Sequence, residues 1–238
     1  MSGRLLSWPN GVGVSGLSIL SGPVSASGGE AGSSISGVVQ HISAPKAPWA
    51  FELTVPPMKG EKARRFNGML IAAHAGANAI SFPWSLVDER INPLSVSLSE
   101  AQESNWNNGQ PWNNGEGWTG GYPNESVSAG QSKDYSTLTL GSDAWGDHLQ
   151  IGDWFGFLSH YAVYQVTEEF PLVDGQVRIW PPLRKAITTS DQGTLEPTLI
   201  VRTVGAPQRT KTPSVWEGGS IQVVEIPDEA ARAHYTLP

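Results

Sequence analysis

His160-Tyr161-Ala162-Val163-Tyr164-Gln165-Val166-Thr167 decides the fold. A strand sends successive side chains to opposite faces. Tyr161, Val163 and Gln165 then share one face, and Ala162, Tyr164 and Val166 share the other. On the N-terminal side, Leu149-Gln150-Ile151-Gly152-Asp153-Trp154-Phe155-Gly156-Phe157 and Tyr135-Ser136-Thr137-Leu138-Thr139-Leu140 read as strands. On the C-terminal side, Gln176–Trp180, Thr198–Val204 and Ser220–Ile226 do the same. Strands spaced roughly 10 residues apart predict a barrel or a sandwich. Asp174-Gly175 is a hairpin-turn signal, and Pro181-Pro182 stops a strand by removing ladder donors.

Further upstream, Trp49–Val55 alternates with period two and ends at Pro56-Pro57. The period then changes. Ala63, Phe66, Leu70 and Ala73 recur at three and four residues, which predicts one principal amphipathic helix at about 59–75. Gly76 stands where a C-cap would. Asn78–Val87 returns to extended structure. The helix is long enough for a parallel crossover, and a helix packed on one face of a sheet is equally allowed. Residues 1–45 are rich in Gly and Ser, with β-branched residues between them, and predict weak strands or an arm that orders on a neighbour. A helical turn is expected at Asp228–Ala233. The fold class is mainly β (α+β). It divides into a sheet-plus-helix part at 1–98, a Trp/Asn/Gly-rich loop or insertion at 99–133, and a strand part at 134–238 that packs with the first as one domain.

Composition agrees with strands and turns. The 238 residues include 27 Gly and 18 Pro, and only 16% are charged, against roughly 25% in ordinary soluble domains. Net charge is −7, so no basic surface for direct nucleic-acid binding is expected. The absence of Cys excludes disulfides, thiolate metal sites and Cys nucleophiles. Met1–Asn10 lacks a signal-peptide apolar core, and no stretch reaches the roughly 20 apolar residues of a membrane span. A soluble protein made in the cytoplasm is expected.

Ten Trp in such a chain suit cores and subunit interfaces. Three fall at six-residue intervals in Trp106-Asn107-Asn108-Gly109-Gln110-Pro111-Trp112-Asn113-Asn114-Gly115-Glu116-Gly117-Trp118. Asn-Gly favours tight turns. Trp106, Trp112 and Trp118 could pack on a neighbouring subunit or under their own turns. They could also offer flat faces beside amides to sugar rings.

Motifs for catalysis are missing. The five His do not pair at i, i+4, and there is no Gly-x-Ser-x-Gly elbow and no phosphate loop. Asp143, Asp147 and Asp153 lie close together beside Trp145, as glycosidase carboxylates can. They also sit where Asp closes turns on its own backbone, and the turn reading is preferred. No catalytic residue, cofactor or metal is therefore assigned.

Two regions resemble the tail proteins of long-tailed bacteriophages. The first runs through about 45–95: Trp49–Pro57, then Ala63-Arg64-Arg65-Phe66-Asn67-Gly68 on a helix, then Asn78–Trp84. The second runs through 138–204: Gly152-Asp153, a strand, Val163-Tyr164-Gln165-Val166, then Asp174-Gly175-Gln176-Val177-Arg178-Ile179-Trp180-Pro181-Pro182-Leu183-Arg184. Within that set the chain is most similar to distal tail proteins. The resemblance implies a ring-forming β-fold, usually hexameric, that joins the tail tube to the tail tip or baseplate. It implies neighbouring tube and tip proteins as partners, and a place in the virion after assembly in the host cytoplasm. The Trp/Asn segment lies outside the resemblance. A carbohydrate-binding, receptor-recognition module of the virion is the alternative function.

Overall fold

A computed structural model describes residues 3–23, 25–27, 41–43, 47–87, 103–104, 118–119, 124–141, 145, 149–169, 176–205 and 216–236. Along the chain run β1 (Gly3–Ser7), β2 (Gly16–Ser21), β3 (Ser25–Ser27), β4 (His41–Ser43), β5 (Ala50–Val55), α1 (Gly60–Ala72), β6 (Ala79–Pro83), β7 (Glu103–Ser104) and β8 (Trp118–Thr119). They are followed by β9 (Glu125–Ala129), β10 (Thr137–Leu140), β11 (Trp154–Phe157), β12 (His160–Glu169), β13 (Gln176–Trp180), β14 (Gln192–Thr194), β15 (Thr198–Thr203), β16 (Gly219–Glu225), α2 (Asp228–His234) and β17 (Tyr235–Thr236). The protein is mainly β, as its sequence predicts. Its residues form two compact units, one of Met1–Val87 with Leu199–Pro238 and one of Asp88–Thr198. The segment 134–238 is thus shared between them. Its last forty residues join the N-terminal unit because β16 pairs along β5, from Gly219 opposite Val55 to Val224 opposite Ala50.

The first unit is built on a seven-stranded sheet in the order β17-β1-β6-β15-β16-β5-β2. β1 runs parallel to β6, with Leu5 opposite Ala79. The chain leaves β5, passes through α1 and enters β6, but β15 and β16 lie between those two strands. The strand–helix–strand pattern therefore does not make an adjacent parallel pair. The apolar stripe of α1 buries Phe66, Met69 and Leu70. Phe66 stands edge-on to Trp8 at 5.5 Å and to Trp216 at 5.2 Å, and Trp8 stands edge-on to Phe82 at 5.1 Å. Phe51 touches Trp49 and Trp84. Such pairs add about 0.5–1.5 kcal/mol each beyond area burial.

The helix is shorter than its periodicity suggests. Beyond Ala73 the backbone turns left-handed at His74 (φ 47°), Ala75 (φ 53°) and Gly76 (φ 100°). Gly76 is required there, since a side chain would begin 2.4 Å from the carbonyl oxygen of Thr203. Asn78 fastens the junction. Its Nδ2 donates to the Ala72 carbonyl at 2.7 Å, and its Oδ1 accepts from the Arg4 N–H at 2.9 Å. Gly68 is different. It is exposed, and no other segment among the described residues lies within 4 Å of where its side chain would start. Glycine inside a helix costs about 1 kcal/mol relative to alanine, and nothing in the described residues offsets that.

In the second unit six antiparallel strands close a barrel in the order β10-β13-β12-β11-β14-β9. The alternation of 160–167 falls as read. Ala162, Tyr164 and Val166 point into the barrel core with Leu138, Phe155, Phe157, Val177 and Ile179. One strand lies within the loop or insertion expected at 99–133: Glu125–Ala129 is β9 and closes the barrel against β10 and β14. Its sequence, Glu-Ser-Val-Ser-Ala, gives the core only one large apolar side chain, Val127. That leaves no hydrophobic alternation to detect. Asp174-Gly175 lies outside the described residues, as does most of 28–46. Two small ladders remain, β3 with β4 and β7 with β8.

Candidate functional site

The two units treat their strand edges in opposite ways. A closed barrel has no edge, but the seven-stranded sheet ends at β2 on one side. β2 is joined to β5 from Gly16 opposite Thr54 to Ser21 opposite Ala50. Among the described residues no strand pairs with its outer side. Edge strands are ordinarily guarded by Lys, Pro or inward charges. The six residues Gly-Leu-Ser-Ile-Leu-Ser contain none of these. Ile19 is 51% exposed and Leu20 48%. At the other edge β17 covers only Gly3 and Arg4 of β1. Among the described residues Leu5, Leu6 and Ser7 pair with β6 alone. Both edges thus present backbone donors and acceptors beside apolar side chains.

Buried polar groups lie in both units: in the first, Glu225 accepts from the Trp49 N–H at 2.9 Å and Asp228 pairs with Arg232 at 2.9 Å, and in the second Glu125, His160 and Thr194 are buried. Glu125 is buried, and its carboxylate is held by backbone. Oε2 accepts from the Trp145 N–H at 2.7 Å, and Oε1 accepts from the Ser126 N–H at 2.8 Å. Trp145 lies beside Gly193 and stands edge-on to Phe155. Glu125 therefore ties the segment carrying Trp145 to the start of β9. Glu125→Ala is expected to cost about 2–3 kcal/mol, because hydrogen bonds to a charged group are lost and a buried N–H is stranded. Glu125→Gln, which keeps an acceptor oxygen, should cost less. Chemical denaturation of the two variants measures the difference.

The second polar group starts at the β11–β12 turn. The Arg184 backbone N–H donates to the Tyr164 hydroxyl at 3.0 Å. That hydroxyl lies 2.8 Å from His160 Nε2, and His160 Nδ1 lies 3.2 Å from Ser159 Oγ. Ser159 in turn is hydrogen-bonded to Asp191. One order of donors satisfies the whole chain: Tyr164 donates to Nε2, Nδ1–H donates to Ser159, and the Ser159 hydroxyl donates to the Asp191 carboxylate. His160 is buried and stacks on Phe157 at 5.3 Å.

This order differs from a Ser-His-Asp nucleophile. In that arrangement the imidazole lies between serine and carboxylate. Here Ser159 lies between the imidazole and Asp191, and the other ring nitrogen is taken by Tyr164. The group is arranged to tie the β11–β12 turn and the 184–191 loop together. Burial raises the Asp191 carboxyl, but hydrogen bonds from Ser159 and Thr188 outweigh it, so its pKa lies below the ordinary value. A carboxyl depressed in the folded state stabilises the fold above its unfolded pKa, and that contribution is lost as pH falls through the folded value. Asp191→Asn should therefore lower stability at neutral pH. The gap to the parent should narrow below about pH 4, as thermal melts from pH 7 to pH 2.5 would show.

The residues singled out from sequence are placed unevenly. Trp106, Trp112, Asp143 and Asp147 lie outside the described residues. Trp118 lies in β8, opposite Ser104. Asp153 closes a turn: Oδ2 accepts from the Gln150 N–H at 2.8 Å, and its own N–H donates to the Gln150 carbonyl at 3.0 Å. Trp8, Trp49, Trp84, Trp145 and Trp216 are buried within the chain. Five of the ten Trp thus lie in the chain's own two cores. Among the described residues no three or more His, Asp or Glu are grouped as metal ligands. No helix among them is long and apolar enough to cross a membrane. Sequence reasoning missed Glu125, the Ser159–His160–Asp191 group and the β2 edge. No protein-family model matches the chain, and no curated protein matches it.

Proposed function

We propose that this protein is a structural subunit that works by joining copies of itself, and that it forms a distal ring in the tail of a long-tailed phage. The observation that carries self-assembly is the unguarded β2 edge, with Ile19 and Leu20 half exposed beside backbone that no other strand among the described residues pairs. An edge of this kind is a template for another strand. When two different surfaces of one sheet meet head to tail, the contacts generate a closed ring if the rotation closes. The outer side of β2 and the β1–β17 side are two such surfaces. The tail assignment is supported by the motifs at 45–95 and 138–204, which resemble those of long-tailed phage tail proteins, distal tail proteins above all. On this reading the ring holds six copies, contacts the tail tube on one side and the tip or baseplate on the other, and resides in the virion. The polar groups at Glu125 and His160 act as internal clasps, not as reaction centres.

Sedimentation velocity on the purified chain over a hundredfold concentration range tests the proposal. A closed species of fixed mass, six times the subunit, is expected. A single subunit at every concentration would sink it.

A further inference from the structure

Three aromatic side chains line up across the outside of the barrel. Trp154 of β11 is opposite Gln165 of β12, and Gln165 is opposite Trp180 of β13. The β10–β13 register, with Thr137 opposite Arg178, carries on to place Tyr135 opposite Trp180. Successive residues of a strand face opposite ways. Phe155, Tyr164, Val166 and Ile179 belong to the core, so Trp154, Gln165 and Trp180 point away from it. These three are half-buried, and Tyr135 is 56% exposed. Trp154 and Trp180 are separated by one strand, so they lie about 10 Å apart, twice the strand spacing. That distance suits two linked sugar rings.

Gln165 stands between the two Trp. Its Nε2 donates to the Gly152 carbonyl at 3.1 Å, which fixes the amide. Its Oε1 has no donor among the described residues, and neither does the Tyr135 hydroxyl have a partner among them. The row itself carries no charge. Beside it, Arg178 is paired with Glu168 at 2.8 Å.

These features choose among ligands that stack on aromatic faces. Single-stranded nucleic acid needs a cationic groove as well as rings, and this row is uncharged in a chain of net charge −7. A proline-rich peptide brings few N–H donors to the Gln165 oxygen. A neutral sugar chain brings apolar ring faces for Trp and hydroxyl donors for the amide. We propose that Trp154, Gln165, Trp180 and Tyr135 form a binding site for a neutral oligosaccharide. Sugar rings stack on Trp154 and Trp180, and a hydroxyl donates to Gln165 Oε1. The site uses none of Trp106, Trp112 and Trp118, and it does not depend on self-assembly.

Isothermal titration calorimetry of the intact chain with cellohexaose, chitohexaose, mannohexaose and maltohexaose tests the proposal. At least one sugar should bind, and Trp154→Ala and Trp180→Ala should each weaken it about tenfold, the loss of one stacked ring. Tyr135→Ala changes an exposed position, so it should fold like the parent and bind severalfold more weakly. Gln165→Leu keeps the bulk, removes the acceptor and should do the same. Circular dichroism melts separate a lost site from a lost fold; where a Trp variant unfolds, Tyr135→Ala and Gln165→Leu decide. A parent that binds none of the four sugars would overturn the proposal. So would undiminished binding in the folded variants, or a proline-rich peptide or oligothymidylate that binds these residues more tightly than every sugar.

Discussion

Replacing Phe155 with alanine should destabilise the barrel unit by about 3–5 kcal/mol, the range for removing a fully buried phenylalanine. Phe155 has no exposed surface, and its ring meets Trp145, Phe157 and Tyr164 at 6.2, 5.8 and 6.1 Å. It therefore touches Trp145, its own strand and the neighbouring strand together. A closed barrel also has little freedom to collapse into the space, since each strand is hydrogen-bonded on both sides. The urea midpoint of the transition followed by Trp fluorescence should fall with little change in slope. A loss below about 1 kcal/mol would mean that the barrel core is not packed as described.

The other large effect belongs to assembly. Ile19→Lys with Leu20→Lys should leave the fold of the subunit within about 0.5 kcal/mol of the parent, because both positions are half exposed. Association should suffer severely. Each joint would have to desolvate two ammonium groups with no partner, at several kcal/mol, or roughly a thousandfold in affinity. The double variant should sediment as a single folded subunit at concentrations where the parent is closed. A variant that assembles as well as the parent would move the joint away from β2.

The strands were legible where one face is apolar. Residues 137–140 and 176–180 alternate because the barrel buries every second side chain, and in 160–167 the inward face does the same although Val163 on the other face is buried too. α1 was legible for the same reason at a period of three to four. What escaped was placed by partners far away in sequence. β9 supplies one large apolar residue and a carboxylate, and it is a strand because β10 and β14 flank it. β1 is fixed by β6, some seventy residues on. The Ser159–His160–Asp191 group is joined by a loop returning thirty residues later, so no spacing rule finds it. The Trp count suited cores as well as interfaces, and Trp8, Trp49, Trp84, Trp145 and Trp216 are core residues. Edge exposure in β2 is a property of topology: Gly-Leu-Ser-Ile-Leu-Ser carries no sign that it lies last in its sheet.

Amide hydrogen exchange across Gly16–Ser21 examines that edge most directly. In the assembled parent the outward amides of β2 should exchange slowly, and in the Ile19→Lys, Leu20→Lys variant they should exchange fast while β5 stays protected in both. Rapid exchange along β2 in an assembled parent, no slower than in the variant, would show that copies do not meet there.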